Sequence, residues 1–340
     1  MCEEKAVLSS RVRLARNFAD LPFRSRMNSE QADACIDRVL SVLRDEEDTY
    51  RYYPMRGLDE TRRRQLVEDH LISADLFASD DQGAALIRED GGVSVMVNEE
   101  DHLRIQGFAS GLNLPAAAER AFQVEEALAG REKFAFDREW GYLTACPTNT
   151  GTGMRASVML HLPMLTLLKQ MGKVTQLAAK LGLTLRGIYG EGSQALGFVY
   201  QLSNQITLGR TEKEILEATG AVARQIAEME QTCREKAAEK DPVAFEDQLR
   251  RSYGLMRYAR KMGMREFYSH WSNLRLGAAM GKLPLDTAAC DQLLEKAQRA
   301  HLQMAAGRKL TDREADESRS ALLEKTLTGA DGDGACENGR

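Results

Sequence analysis

Residues 146–162 read CPTNTGTGMRASVMLHL: a cysteine before a proline, a Gly-Thr-Gly turn, an arginine two residues past it, and a strand-forming run. By itself the stretch fits a phosphate-binding loop, a nucleophile's loop, or a bend leading into a strand. Glycines at 151 and 153 would let backbone N–H groups come close to a phosphate. The surrounding chain has to choose among the three.

Working outward, VSVMV (93–97, after Gly91-Gly92), GYLTAC (141–146), SVMLHL (157–162), LTLRGIYG (183–190) and FVYQLSNQITL (198–208) read as strands. Between them, 164–182 reads as a helix ended by Gly182. From 211 the reading is a helix opened by a Thr211/Glu214 capping box. Its apolar stripe, Ile215, Ala218, Val222, Ile226, Met229 and Cys233, is suited to core packing. Past about residue 240 only helical periodicity remains, and Asp241-Pro242 marks a restart. The expected class is therefore α+β. Residues 1–240 form a mixed domain, 241–329 an all-helical domain, and the glycine-rich 330–340 a disordered tail.

Bulk properties exclude several functions. A net charge of −5 over 340 residues argues against a general nucleic-acid binder. The six cysteines are scattered without a CxxC pair, which points away from a zinc site or a disulfide framework and toward a reducing, cytoplasmic setting. No signal-peptide core is present, and no run approaches the roughly 18 apolar residues of a membrane span. GxxxxGK[ST], HExxH and the protein-kinase signature set are all missing.

What the sequence does supply is arginines at turns and strand ends. Arg11 and Arg13 in SSRVRLAR share one face if that segment is extended. Arg104 closes VNEEDHLR, Arg155 follows the Gly-Thr-Gly turn, and Arg186 opens RGIYGEGS. Each alone is an ordinary solvated cation. Five together, inside an acidic protein, suit a polyphosphate carrying a metal ion, since guanidinium forks pair bidentately with phosphate oxygens.

In order and character, SSRVRLARN, NEEDHLR, CPTNTGTGMRAS and RGIYGEGS resemble the ATP:guanido phosphotransferases. HLPMLTLLKQ, RGIYGEGSQALG, QLSNQITLGRTE and EDHLIS resemble its bacterial protein-arginine kinase branch. The resemblance implies the family fold, an antiparallel sheet flanked by helices, with ATP and Mg²⁺ as cofactors and no metal ligands from the protein. It implies a nucleotide site made of Ser9, Ser10, Arg11, Val12 and Arg13; His70; Arg104; Arg155, Ala156, Ser157, Val158 and Met159; and Arg186, Gly187, Ile188, Tyr189, Gly190 and Glu191. Glu100 and Glu191 match the catalytic carboxylates, and Cys146 the cysteine beside the acceptor guanidinium.

The family divides by acceptor. Members acting on free guanidines carry a helical domain before the SSRVR motif, which here begins at Ser9, so the expected acceptor is an arginine within a protein. The branch also implies a homodimer, an activator of the McsA type, and a role in marking proteins for a Clp-type ATPase and protease under stress. Its RDxxRA phosphoarginine motif corresponds here to ADESRS (315–320), which keeps only Asp316 and Arg319 of that pattern. The alternatives are a phosphagen kinase for a free guanidine such as L-arginine and a non-catalytic phosphoarginine-binding adaptor.

Overall fold

The structure is a computed structural model and describes residues 3–44, 49–78, 82–188 and 195–334. In chain order its strands are β1 (Val7–Arg16), β2 (Tyr50–Pro54), β3 (Ala84–Arg88), β4 (Val93–Val97), β5 (Leu103–Ser110), β6 (Phe136–Asp137), β7 (Gly141–Tyr142), β8 (Met154–His161), β9 (Leu183–Gly187) and β10 (Val199–Asn204). Eight of them form one antiparallel sheet in the order β2-β3-β4-β5-β1-β8-β10-β9, while β6 and β7 pair as a separate hairpin. The helices are α1 (Ser29–Leu43), α2 (Glu60–Glu68), α3 (Ala74–Ala78), α4 (Leu114–Ala129), α5 (Pro163–Leu167), α6 (Met171–Lys180) and α7 (Glu212–Lys240). The C-terminal set is α8 (Pro242–Tyr258), α9 (Met264–Ala279), α10 (Thr287–Lys296), α11 (Arg299–Ala306) and α12 (Asp312–Gly334).

Strand alternation gives the sheet two chemically different faces. Val12 and Leu14 of β1, Ile105 of β5, and Ala156, Val158 and Leu160 of β8 are fully buried in the main core with side chains of α1, α4 and α7. Helix α4 comes so close to β5 that a Cβ at Gly107 would lie 2.0 Å from the Ala117 carbonyl oxygen, so only glycine fits there. Arg11, Arg13, Arg104, Gln106, Arg155 and Ser157 alternate with these apolar residues and so take the opposite face. At the β3–β4 end, Met55, Leu66, Ile72, Leu76 and Met96 cluster with α2 and α3.

A second core gathers Phe267, Trp271, Leu274, Leu293, Leu323 and Leu327 from the C-terminal helices, and it also includes Met164 and Val199 of the sheet region. Trp271 Nε1 donates to the Cys290 carbonyl at 2.7 Å, so its one polar group is satisfied in the core. Arg275 of α9 reaches back to the carbonyls of Lys5 and Val7 (2.8 and 3.4 Å), fastening the start of β1 to the helical region.

Several local expectations change. The single helix expected over 164–182 breaks into α5 and α6, because Lys169 turns left-handed (φ 56°) and Gln170 N–H bonds the Leu165 carbonyl. GYLTAC pairs as a strand only at Gly141–Tyr142. Beyond it Ala145 N–H is taken by Asp101 Oδ1 at 2.7 Å instead of a neighbouring strand. LTLRGIYG is strand through Gly187, and FVYQLSNQITL is strand over Val199–Asn204. The Thr211/Glu214 capping box forms, but α7 runs on to Lys240. Its buried stripe passes through Thr219 rather than Ala218 and continues to Glu230 and Arg234. Asp241 then caps α8 through Ala244 N–H, with Pro242 in its first turn. Helix α12 extends to Gly334, into the stretch expected to be a tail; 335–340 lie outside the described residues. None of the described helices is long and apolar enough to cross a membrane.

Candidate active site

Strand register assembles the arginines. Arg13 lies opposite Gln106 on one side and Arg155 on the other, and Arg11 lies opposite Ser157. Arg186 on β9 lies opposite Gln201, whose Oε1 accepts from Arg11 Nη2 at 3.0 Å. Arg104, two residues before Gln106, completes the row. Burial pushes the Arg13 guanidinium well below its ordinary value, followed by the charges of Arg11, Arg104 and Arg155; Glu99 alone pulls the other way. Arg155 is lowered by burial and then by Arg186 and Arg104. A guanidinium keeps its proton in a protein, so these directions express the cost of burying the charges first and of their mutual repulsion second.

Few hydrogen bonds offset it. Among the described residues none accepts from the Arg13 guanidinium, and Arg155 has one long side-chain contact to Ser203 Oγ (3.4 Å) while its buried Nε has no partner. Buried donors without acceptors are costly, on the order of 1–3 kcal/mol each. A polyanion laid on this face would supply acceptors and countercharge together.

The NEED turn puts two adjacent glutamates to different uses. Glu99 is buried; its Oε1 takes Arg104 Nη1 at 2.6 Å and Ser73 Oγ at 2.5 Å. Glu100 is about half exposed, with Arg104 Nη2 at 3.3 Å from its Oε2. Burial raises the Glu100 carboxyl above its ordinary value; Arg104 opposes the shift, and Asp101, Glu99 and Asp75 reinforce it. Such a carboxylate is a better proton acceptor than an ordinary glutamate.

Asp101 joins this turn to the cysteine loop. Its Oδ1 accepts from Ala145 N–H and from Asn17 Nδ2, both at 2.7 Å, while Asn17 Oδ1 accepts from His102 N–H at 2.9 Å. Cys146 is half-buried next to that anchored residue, its Sγ 3.0 Å from Thr148 Oγ1. The Asp101–Asn17 link, which sequence reading passed over, thus sets Glu100 and Cys146 relative to one another. Its residues sit in NEEDHLR and LARN, where only their closeness to the quoted motifs marks them.

His70 follows α2 in a left-handed turn (φ 59°) and lines a cleft of about 350 Å³ together with Ser9, Arg11, Ser157 and Met159. Burial, and then Arg11, push its imidazole down to about 4, so it is neutral near pH 7.

Other expected residues fall elsewhere. Ser10, Val12, Ala156 and Val158 alternate onto the core side of the sheet, and Ser10 Oγ is bonded to the Gly111 carbonyl. The Gly-Thr-Gly loop does not form a backbone cradle: Gly151 and Thr152 donate to the Tyr142 and Thr207 carbonyls, and Met154 N–H to Thr152 Oγ1. Its glycines serve close packing, since a Cβ at Gly151 would lie 2.6 Å from the Thr207 oxygen. Gly187 ends β9, and Ile188 N–H bonds the Val199 carbonyl. Tyr189, Gly190 and Glu191 lie outside the described residues. Among those described, no three His, Cys, Asp or Glu side chains group to hold a metal ion.

Comparison with known proteins shows what the chain as a whole is similar to. Residues 32–233 match the family model for the ATP:guanido phosphotransferase C-terminal catalytic domain, and 242–337 that for the protein-arginine kinase McsB C-terminal domain. The chain is 42% identical to the protein-arginine kinase of Caldanaerobacter subterraneus subsp. tengcongensis over 96% of its own length and 98% of that protein. It is 43% identical to the Moorella thermoacetica protein-arginine kinase, covering 95% and 94%. Among solved structures, a lombricine kinase superposes with a TM-score of 0.61 at 25% identity over 68% of each chain. The duplicated taurocyamine kinase from Schistosoma mansoni, solved with transition-state analogue components, gives 0.61 at 28% identity, covering 72% of this chain and 37% of that one.

Proposed function

The chain belongs to the ATP:guanido phosphotransferase family, and we propose that within it the protein is a protein-arginine kinase, moving the γ-phosphoryl group of ATP to the guanidinium of arginine side chains in proteins. One observation carries the reading: five arginines crowd one sheet face with no described acceptor for the Arg13 guanidinium, beside a turn that leaves the Glu100 carboxylate about half exposed and held, among the described residues, only by Arg104 at 3.3 Å.

The arginine face binds the triphosphate and holds its γ-phosphorus toward Glu100. A guanidinium is protonated up to about pH 12 and is a poor nucleophile until a base takes its proton. Glu100 holds the incoming guanidinium by hydrogen bonds, aims one nitrogen at phosphorus and accepts the proton as the N–P bond forms and the bond to the β-phosphate oxygen breaks. Arg11, Arg13, Arg104, Arg155 and Arg186 stabilise charge spreading onto the transferred oxygens. Cys146 positions the guanidinium, and Glu191 is the second carboxylate of the same reading. Mg²⁺, when bound with the nucleotide, neutralises phosphate charge. Among the described residues no three His, Cys, Asp or Glu side chains are placed to hold a metal ion, which fits an ion carried chiefly by phosphate and water.

Our proposal for the wider role is a cytoplasmic homodimer that works with an McsA-type activator and marks proteins for Clp-type proteolysis under stress. The first test is phosphorylation with Mg·ATP of an unfolded arginine-rich protein against free L-arginine, read by mass spectrometry under non-acidic conditions. Phosphoarginine on the protein, lost in Glu100→Gln, is expected. Turnover of free arginine alone would make the enzyme a phosphagen kinase.

A further inference from the structure

The arginine cleft opens into a second cavity of about 340 Å³, and the two share Ser9, Asp69, His70, Ser110, Met159 and Glu295. The second cavity has a wall that the catalytic sheet does not supply: Asp291, Gln292, Leu294 and Glu295 of α10, and Gln298 just beyond it. Charge divides the combined space. Arg11, one of the five arginines, lines the first cavity with Arg120 and Asp90, while Glu68 and Asp291 line only the second, and Asp69 and Glu295 lie on the rim common to both. A triphosphate is drawn to the first end and repelled from the second, so a nucleotide can lie here in one direction only, its nucleoside toward α10.

Three of the four carboxylates lining the second cavity are already committed. Glu68 accepts from Ala300 N–H at 3.1 and 3.0 Å, Asp69 is 2.5 Å from His301 Nε2, and Asp291 takes Arg275 at 2.7 and 3.2 Å. The Glu295 carboxylate accepts no hydrogen bond from any described residue; only its backbone carbonyl does, from Gln298 N–H at 3.1 Å. Neutral His70 and the Met159 thioether, on the rim common to both cavities, offer the soft surfaces an aromatic base packs against.

We propose that α10 is the nucleoside wall of the active site and that Glu295 is a specificity-determining residue, accepting a hydrogen bond from an N–H or O–H donor of the bound nucleoside. This rests on the reading of the arginine face as a triphosphate site. It makes the C-terminal helical region part of the nucleotide site rather than a separate appendage.

The test is calorimetric binding to the full chain of Mg·ATP, Mg·2′-deoxy-ATP, Mg·purine-riboside triphosphate (which lacks the exocyclic amine) and inorganic tripolyphosphate, for the wild type and Glu295→Ala. Expected is an ATP affinity about 10- to 100-fold weaker in the variant, the worth of one charge-assisted hydrogen bond, with tripolyphosphate within about twofold of wild type. If the variant no longer distinguishes ATP from the amine-free analogue, the donor is the base; if it no longer distinguishes ATP from the deoxy analogue, the donor is the ribose. Unchanged ATP affinity in the variant would overturn the proposal while leaving the triphosphate site intact. Failure of the wild type to bind either ATP or tripolyphosphate would overturn the functional reading and the proposal with it.

Discussion

Two sets of arginines in this molecule are handled in opposite ways. Arg16, Arg234, Arg275 and Arg319 are at most 2% exposed, yet each is met by a carboxylate and by backbone carbonyls. Arg16 has Glu125 at 2.6 Å and the Ala15 and Thr152 carbonyls. Arg234 has Glu230 at 2.8 Å and the His161 carbonyl. Arg275 has Asp291 and the strap to Lys5 and Val7. Arg319 has Asp316 at 2.8 Å and the Met262 and Ala297 carbonyls, so the two residues kept from the RDxxRA pattern are engaged with the fold. On the open sheet face Arg104 is paired with Glu99 and Glu100, but no described residue accepts from the Arg13 guanidinium and Arg155 has only its long contact to Ser203. The first set has its countercharge within the chain, whereas Arg13 and Arg155 of the second leave theirs to be brought from outside. The difference separates structural from functional cations better than burial does.

The sharpest way to break this contrast is Arg13→Met. It should lower kcat/KM by roughly 10³-fold or more, as expected of a cation on a transferring phosphoryl group, while the melting temperature of the nucleotide-free protein holds or rises as repulsion is relieved. A fall in both would place Arg13 among the structural arginines. Glu100→Gln should lower the rate by about 10²- to 10⁴-fold and leave ATP binding in place by calorimetry. In the wild type the same carboxyl, raised above its ordinary value, should give kcat/KM an acid limb that falls as pH drops through that raised value. The limb should be missing from the residual activity of the glutamine variant.

On the structural side, Glu230→Ala removes the partner of Arg234 and the acceptor for the Met164 and Leu165 N–H groups. A loss of about 3–5 kcal/mol in urea unfolding is expected, with kcat per folded molecule little changed. The smallest effect concerns His301. Burial lowers its value, but the hydrogen bond and charge of Asp69, with Glu68 and Glu295, outweigh burial and raise it above 6.5 overall. A raised folded value stabilises fully below the unfolded value and fades as pH rises through the folded one. Wild type should therefore exceed His301→Gln in stability by at most about 1 kcal/mol below pH ~6.5, and the gap should close in alkaline buffer. A gap that widened with pH would reverse the assigned sign.

How much of this could be read from the chain depends on the range of the interaction. The pairing of Arg11 with Arg13 on one face follows from strand period two, and the capping box at Thr211 from a three-residue spacing; both are local and both were legible. Ser10, Val12, Ala156 and Val158 lie within the same motifs, but alternation places them on the other face, so a motif range is not a list of contacts. The Gly-Thr-Gly loop was legible as a tight turn, whereas its N–H groups find their acceptors at Tyr142 and Thr207 only through folding. Why Glu99 differs from Glu100, or that Asp101 meets Asn17 across 84 positions, depends on which distant segment fills the space beside each. So does the wall built by α10. Nothing in the helical periodicity of 287–296 marks Glu295 as different from any solvated glutamate.

The strap from Arg275 to the start of β1 has a consequence for how the molecule is made. β1 lies between β5 and β8 at the middle of the sheet, yet it leaves the ribosome before either neighbour. At translation speeds of about 5–20 residues per second, β1 waits several seconds or more for β8, with both hydrogen-bonding edges open until β5 emerges and one open after that, and open edges are where nascent strands pair wrongly. Its final fastening comes from a guanidinium more than 250 positions downstream. Truncated chains ending before α9 would keep every arginine of the triphosphate face and lose the clasp on the strand that carries two of them. The last fastening of the sheet's central strand is thus made only in chains translated as far as α9.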